Sequence, residues 1–268
     1  MNTPKFAYDI IIQAGQSNAE GFGKGPVSEE YLKDDDVVYL YQNFKAEVKS
    51  VDGFTKMVIQ VDDPTFHLGV ADEAADNDGK IGSFALTFAE EYKKAGLLAE
   101  GRKLLIIRAA VGGTGFFAKQ WGVGDEMYLR MLEMIDYALS LNPDNKIVGF
   151  LWHQGEHDAF EGNPPDVFES QLKAMITDVK NRYGLIKLPF VSGDFVNEWK
   201  SKNIEICKPI VEKIRSVTAS EGGVFIETAD LPSNNQTVGN GDDIHFCRES
   251  LHILGKRYFN AYSEIVKA

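Results

Sequence analysis

A serine in a glycine-rich turn is the first residue of the chain that could carry out chemistry. Ser17 follows an apolar run typical of a β-strand, and glycines at positions 15, 21, 23 and 25 let the backbone approach a ligand closely. A serine between a strand and a helix can point its hydroxyl into a cleft, with its own N–H at the positively polarised helix start. A plain helix cap would look the same, so Ser17 is a candidate nucleophile only if a base accompanies it.

A possible base lies near the other end of the chain. Asp242 stands three residues before His245. At this spacing the carboxylate can accept the imidazole N–H and fix its tautomer, which leaves the other ring nitrogen free to take a proton from a serine. Asp243 has a less suitable offset, and either aspartate could instead cap the helix that follows.

Two further segments could supply hydrogen-bond donors to the same reaction. Residues 109–115 end a predicted strand and contain glycines whose N–H groups could bind an oxyanion, although the same sequence suits a plain tight turn. In residues 151–158, Gln154 could donate its side-chain N–H to the oxyanion, and Glu156 could hydrogen-bond a nearby base. Together with Ser17, these segments are consistent with a site for acyl transfer.

A zinc site is an alternative interpretation of one of these segments. His153, Glu156 and His157 match the inverted zinc-peptidase motif, which requires both histidines on one face of a helix. Residues 146–152, however, have the pattern of a strand, and Gly155 would break a helix. The sequence therefore favours a serine mechanism, while a zinc hydrolase predicts bound metal and inhibition by chelators.

The elements that must position these residues alternate along the chain. Short β-rich runs alternate with stretches of helical apolar spacing, which predicts a parallel sheet covered on both faces by helices. In such folds ligands bind outside the carboxyl ends of the strands. The predicted strands are Asp9–Ala14, Val37–Tyr41, Lys103–Ala109, Lys146–Trp152, Leu188–Val191 and Gly223–Glu227, and the predicted helices are Gly82–Ala95, Glu126–Leu141, Asp166–Tyr183, Ile204–Ser220 and Arg248–Val266.

The stretch from Asn43 to Gly79 departs from this alternation. It is rich in Asp, Gly and Val and has no helical period, so we expect loops with a small hairpin there. No internal repeat, low-complexity tract or linker divides the chain. The sequence therefore predicts one α/β domain over residues 1–268.

The charge and composition restrict the classes of partner. The 268 residues include 28 basic and 40 acidic side chains, a formal net charge of −12. Such a surface repels phosphate backbones and anionic membranes, so we expect neither nucleic-acid nor membrane binding, and a neutral substrate is favoured over a polyanionic one. Cys207 and Cys247 lack metal-site spacing and are expected to be buried thiols. Because no apolar run resembles a signal peptide or a membrane span, we expect a cytoplasmic location, with secretion as the alternative if a leader has been removed.

The four segments together resemble the SGNH (GDSL-type) hydrolases. More narrowly, they resemble the branch of sialate O-acetylesterases and acetylxylan esterases, carbohydrate esterase family six. The resemblance extends from residue 11 to residue 246, in the order found in that family. Its motifs are Gly-Gln-Ser-Asn at 15–18, Gly-Gly-Thr at 112–114 followed by Trp121, Trp-His-Gln-Gly-Glu at 152–156, and Asp242-x-x-His245-Phe246.

The resemblance implies a three-layer α/β/α fold with a flavodoxin-like parallel sheet. It also implies a catalytic serine and histidine with an oxyanion hole of three donors. Ser17 would be the nucleophile and His245 the general base, and the donors would be the Ser17 N–H, a glycine N–H (Gly113 in preference to Gly112) and the Gln154 amide.

The acidic residue of the triad has two candidates. Asp242 has the family's spacing to His245. In some members of the family the role is assigned to the glutamate that corresponds to Glu156. Asp243, at the wrong offset, is a third choice.

The implied activity is hydrolysis of acetyl esters, above all on carbohydrates, through an acetyl-serine and without metal or organic cofactor. The expected partner is a small-molecule or oligosaccharide acetyl ester, and Asn18 and Trp121 are predicted to contact it. Phe22 and Phe116 could also stack on a sugar, whereas Trp152 is expected to pack in the core. A carbohydrate-binding module without catalysis is a further alternative, although binding alone needs no nucleophile with a base.

Overall fold

The computed structural model describes residues 6–26, 33–51, 54–61, 65–72 and 83–267. In this part of the chain a seven-stranded sheet and a separate hairpin are accompanied by helices. The strands are β1 (Ala7–Gly15), β2 (Lys33–Tyr41), β3 (Phe44–Val51), β4 (Phe54–Val61), β5 (His67–Asp72), β6 (Arg102–Ala110), β7 (Lys146–His153), β8 (Phe190–Gly193) and β9 (Val224–Ile226). The helices are α1 (Ser17–Glu20), α2 (Phe84–Lys94), α3 (Glu126–Ser140), α4 (Glu156–Glu161), α5 (Pro165–Arg182), α6 (Asn197–Lys202), α7 (Ile204–Ser220), α8 (Asn234–Val238) and α9 (Arg248–Lys267).

The sheet places the end of β1 at its centre. The strand order is β5-β2-β6-β1-β7-β8-β9, and β1 is parallel to both of its neighbours. Five neighbouring strands lie in the spatial order β6-β1-β7-β8-β9. Numbered by their order along the chain, they read 2-1-3-4-5, which is the order of flavodoxin-like sheets. In such sheets the direction of winding reverses between the first and third strands. That reversal lies here between β1 and β7. The crevice at their carboxyl ends is therefore the expected ligand site.

Helices cover both faces of the sheet. Residues of α3, α5 and α7 form one apolar cluster with the sheet, and residues of α2 and α9 form another on the opposite face. Alternate residues of β1 join opposite clusters, Ile10 and Ile12 the first and Ile11 the second, as the period of a strand requires. This three-layer arrangement confirms the predicted fold. None of the helices in the described part of the chain is long and apolar enough to cross a membrane.

The elements differ from the prediction in two places. The stretch that was expected to contain loops and a small hairpin holds the hairpin β3–β4 and also β5, an antiparallel edge strand paired with β2. Residues 52–53, 62–64 and 73–79 of that stretch lie outside the described part. Helices α1, α4, α6 and α8 were not predicted, because four to six residues are too few to show a helical period.

Gly15 is expected to be essential where β1 meets β7. Its φ is +137°, and a Cβ added there would lie 2.1 Å from the backbone oxygen of His153. Gly15→Ala must therefore separate two paired strands, and we expect it to lower the free energy of unfolding by more than about 2 kcal/mol in urea denaturation. Gly69→Ala is the matched control, because no atom lies within 4 Å of its added Cβ. Equal losses in the two variants would contradict this account.

Candidate active site

Three side chains that are distant in the sequence meet at the carboxyl edge of the sheet. Ser17 begins α1 directly after β1, and Asp242 and His245 lie on the loop between α8 and α9. Ser17 Oγ is 2.8 Å from His245 Nε2. His245 Nδ1 is 2.8 Å from Asp242 Oδ1 and 3.0 Å from Oδ2. These are hydrogen-bond distances, so a hydroxyl, an imidazole and a carboxylate form a continuous chain.

The Asp242 carboxylate is also held from α8. Asn234 Nδ2 donates to Asp242 Oδ2 at 2.8 Å, and the backbone N–H of His245 donates to Oδ1 at 3.3 Å. Burial alone would raise the pKa of Asp242, but the hydrogen bonds from His245 and Asn234 outweigh burial and hold the pKa below its usual value. An ionised Asp242 favours the proton of His245 on Nδ1, which leaves Nε2 as an acceptor facing Ser17.

Phe22 covers one face of the His245 ring. The two rings stack with their centroids 4.8 Å apart and their planes at 23°. Phe22 also lies beside the glycine loop, since a Cβ added to Gly112 would be 3.4 Å from Phe22 Cζ and 3.3 Å from Ser17 Cβ. The ring that was considered for sugar stacking therefore packs on the imidazole and limits its movement.

Two backbone N–H groups beside the Ser17 side chain are available to an oxyanion. Within the described residues, the N–H groups of Ser17 and Gly113 make no hydrogen bond, and Gly113 has a φ of +72°. The Gly112 N–H instead donates to Glu20 Oε2 at 2.7 Å. Because Glu20 accepts the Gly112 N–H, Gly113 and not Gly112 is the glycine of this loop whose N–H makes no hydrogen bond among the described residues.

Gln154, the third predicted donor, has both amide hydrogens directed at protein acceptors. Its Nε2 donates to the Thr114 backbone oxygen at 3.2 Å and to Asp158 Oδ2 at 2.5 Å. In this geometry Gln154 binds the glycine loop and offers no free hydrogen to an oxyanion. The longer bond to Thr114 is the one that a charged oxygen could replace, since ionised acceptors form the stronger hydrogen bonds.

Glu156, the alternative triad carboxylate, lies away from the imidazole. It is fully buried at the start of α4, and its Oε1 accepts a hydrogen bond from Asn18 Nδ2 at 3.0 Å. His153 Nε2 is 3.8 Å from the same oxygen, too far for a hydrogen bond. Among the described residues His245 makes no hydrogen bond to Glu156. The structure thus places Asp242, and not Glu156, against His245.

Asn18 connects this buried carboxyl group to the histidine loop. Its Nδ2 also donates to the Ile244 backbone oxygen at 3.1 Å, and the Phe246 N–H donates to Asn18 Oδ1 at 3.1 Å. These bonds hold the backbone on both sides of His245. Because Asn18 has no exposed surface, the prediction that it contacts the substrate is wrong. Its contacts are those of a residue that positions the histidine.

Trp121 is also buried, so the prediction that it contacts the substrate is wrong as well. Only 1% of its surface is exposed, and its indole N–H donates to Thr114 Oγ1 at 2.8 Å. Its ring packs edge-on against Trp152 in the apolar cluster under the glycine loop, where Phe116 is buried too. These rings support the loop from below and have no surface for a sugar.

The arrangement required for zinc is not formed. His153 ends β7 with its Nδ1 3.0 Å from the Tyr258 hydroxyl, whereas Glu156 and His157 belong to α4. The two histidines therefore lie on different elements and not on one face of a helix. Within the described ranges, no group of three or more His, Cys, Asp or Glu residues is placed to hold a metal ion.

A family model decides the biochemical class of this site. The model described as carbohydrate esterase, sialic acid-specific acetylesterase, matches residues 7–264. The chain belongs to this family. The assignment confirms the resemblance predicted from the motifs, and it identifies the chain as a carboxylic-ester hydrolase that removes acetyl groups from carbohydrates.

Individual relatives are similar over most of the chain. A probable 9-O-acetyl-N-acetylneuraminic acid deacetylase of Escherichia coli K12 is 24% identical over 226 residues, 72% of this chain and 68% of the relative. The crystal structure of NanS superposes with a TM-score of 0.72 at 18% identity, covering 100% of this chain and 99% of that one. A carbohydrate acetylesterase from Xanthomonas citri superposes with a TM-score of 0.63 at 18% identity. This superposition covers 96% of this chain and 56% of the other. Both structures therefore share the fold of this chain.

Asp158 is a site residue that the sequence did not reveal. It is fully buried on α4 and accepts hydrogen bonds from the backbone N–H groups of Phe116 and Phe117, at 3.1 and 2.8 Å, and from the side chains of Gln154 and Asn163. It therefore ties the glycine loop of the esterase to α4. Its two backbone partners lie about forty residues away in sequence, so no local pattern indicates its contact with the glycine loop.

The buried Glu156 is expected to make stability depend on pH. Burial, chiefly, raises the pKa of Glu156, so this carboxyl group stays protonated where the unfolded chain would ionise it. The unfolded chain then releases a proton that the folded protein keeps. As the pH rises above the ordinary glutamate value of about 4.3, Glu156 therefore reduces stability progressively, up to its raised folded-state pKa.

Glu156→Gln removes this ionisation and keeps an oxygen to accept from Asn18. We expect the free energy of unfolding of the variant, relative to the parent, to increase as the pH rises above about 4.3. Urea denaturation at a series of pH values measures the difference. Parallel profiles for the two proteins would show that Glu156 has an ordinary pKa in the folded state.

Proposed function

We propose that this acetylesterase works through a covalent acetyl-Ser17 intermediate, with His245 as general base and Asp242 as the residue that orients the imidazole. The observation that carries the proposal is the continuous chain from Ser17 Oγ through the His245 ring to Asp242, with both links at 2.8 Å. Ser17 begins α1, and Asp242 and His245 lie on the loop between α8 and α9, so the side chains meet near the reversal point of the sheet, where the fold favours ligand binding.

The reaction has two halves. His245 Nε2 takes the proton of Ser17 as Oγ attacks the acetyl carbonyl, and the tetrahedral intermediate expels the sugar oxygen, which takes that proton from the imidazolium. Water then gives a proton to His245 and attacks the acetyl-serine. Collapse returns the proton to Ser17 Oγ and releases acetic acid, so the enzyme ends unchanged.

The oxyanion of each tetrahedral intermediate is proposed to bind the N–H groups of Ser17 and Gly113. These donors are preorganised because Gly113 belongs to a loop fixed at Gly112 by Glu20 and further on by Asp158. Gln154 is the third proposed donor, and it joins the hole by exchanging its hydrogen bond to Thr114 for one to the charged oxygen.

We propose that the natural ester is an O-acetylated sialic acid. The family description names sialic acid-specific acetylesterases, and the Escherichia coli relative is named for a 9-O-acetylated sialic acid. A compact acidic monosaccharide suits a cytoplasmic enzyme better than a polymer such as xylan does. The cytoplasmic location itself stays a prediction.

Ser17→Ala tests the nucleophile. Because no other hydroxyl contacts His245 in the described part of the chain, we expect acetate release from 9-O-acetyl-N-acetylneuraminic acid to fall by roughly 10⁶ in kcat, as in serine proteases. A panel with acetylated neutral sugars compares the substrates. Retained activity would remove Ser17 from the mechanism, and sugar binding without acetate release by the parent would favour a binding module.

The acidic residue of the triad is tested by comparing two variants. Asp242→Asn should lower kcat by roughly 10⁴, because an amide no longer favours the correct imidazole tautomer. Glu156→Gln should keep kcat within a few-fold, because Asn18 retains its acceptor. The measurement is the initial rate of both variants on the same acetyl ester. A large loss in Glu156→Gln with a small loss in Asp242→Asn would assign the role to Glu156.

A further inference from the structure

Two phenylalanines stand exposed beside the proposed active site. Phe117 is 49% and Phe160 71% exposed, and within the described residues neither ring contacts another aromatic ring. The other large aromatic residues of this region, such as Phe116 and Trp121, are buried in the core. A contiguous patch of exposed apolar side chains is typical of a ligand-binding surface.

The surface that carries these rings adjoins Ser17. The His157 N–H at the start of α4 donates to the Oε1 of Gln16, the residue before the nucleophile, at 3.2 Å. Phe160 follows His157 by three residues on the same helix, so the two share a face. Gly115 packs against that helix, where an added Cβ would lie 3.1 Å from His157 Cδ2.

The backbone of Phe117 is held against this helix by a buried carboxyl group. Its backbone N–H donates to Asp158 Oδ1 at 2.8 Å, and Asp158 has no exposed surface. The loop that presents Phe117 is the same one that begins at Gly112 beside Ser17. One loop therefore contacts Ser17 at Gly112 and is hydrogen-bonded to α4 at Phe117.

The turn after Phe117 contains Lys119, whose backbone has a left-handed conformation that is unfavourable for residues other than glycine. Lys119 has a φ of +57°, and the turn is closed by hydrogen bonds from Lys119 N–H to the Phe116 oxygen and from Gln120 N–H to the Gly115 oxygen. This is the pattern of a Schellman motif, in which glycine is the usual residue at the left-handed position. Lys119 therefore places an exposed positive charge two residues after Phe117.

We propose that Phe117, His157 and Phe160 form the surface that binds the sugar ring of the substrate, and that Lys119 pairs with the carboxylate of an acidic sugar. The proposal rests on the function proposed above. The C–H faces of a sugar can pack on aromatic rings. A protein with a net charge of −12 repels an anionic sugar, so a local cation is needed to hold it.

The test compares esters with and without a sugar. The rates of acetate release are measured for 9-O-acetyl-N-acetylneuraminic acid, an acetylated neutral hexose and ethyl acetate. For Phe117→Ala, the loss of kcat/KM on both sugar esters should exceed the loss on ethyl acetate by about tenfold. For Lys119→Gln, kcat/KM should fall about three- to tenfold on the acidic sugar only.

Ile186→Ala is the control, because Ile186 is 84% exposed in the loop before β8, at the opposite end of the sheet. It should leave the rates on all three esters unchanged.

Equal losses on sugar esters and ethyl acetate for Phe117→Ala, in a variant with the parent's unfolding temperature, would overturn the sugar surface. Equal losses on both sugars for Lys119→Gln would overturn the carboxylate contact. Failure of the proposed function is distinct, since the parent would then release no acetate from either sugar.

Discussion

The hydrogen bonds between Asn18 and the backbone on both sides of His245 are the contact on which the active site depends. Ser17 and His245 are 228 residues apart in sequence, and the imidazole reaches the hydroxyl only if its loop is held against α1. Asn18 provides this from the position directly after Ser17. One short turn therefore presents the hydroxyl and fixes the loop that carries its partner. Two of these three hydrogen bonds of Asn18 are buried, and the one to the Ile244 oxygen is part-buried, so water competes little for them.

Burial separates the two carboxyl groups that the sequence left as alternatives. Glu156 is enclosed, so its neutral form is favoured and it serves as an acceptor for Asn18. Asp242 is only half-buried and receives hydrogen bonds from His245 and Asn234, so its charged form is favoured. The same chemical group thus accepts a hydrogen bond from Asn18 at one position and from an imidazole at the other. Sequence spacing cannot make this distinction, because it depends on what covers each side chain.

The sequence predicts the sheet because apolar runs are strong local signals, and it predicts the meeting of Ser17 with His245 from the order of four motifs that are individually weak. Apolar runs identify buried strands, and the topology of a parallel sheet brings the residues after these strands to one edge. The burial of Asn18 and Trp121 was not predictable, since polar and amphipathic side chains outside long helices and strands are usually exposed. The role of Asp158 depends on contacts between α4 and a distant loop. The single domain over residues 1–268 stays a prediction.

The central claim is that Ser17 is the nucleophile and that His245 activates it. The most direct measurement is covalent labelling with a serine-directed fluorophosphonate, followed by mass spectrometry of the peptides. We predict a single modification on the peptide that contains Ser17, formed much more slowly in His245→Ala and blocked by an O-acetylated sialic acid. Loss of activity with the label on another residue, or full activity with Ser17 labelled, would contradict the account.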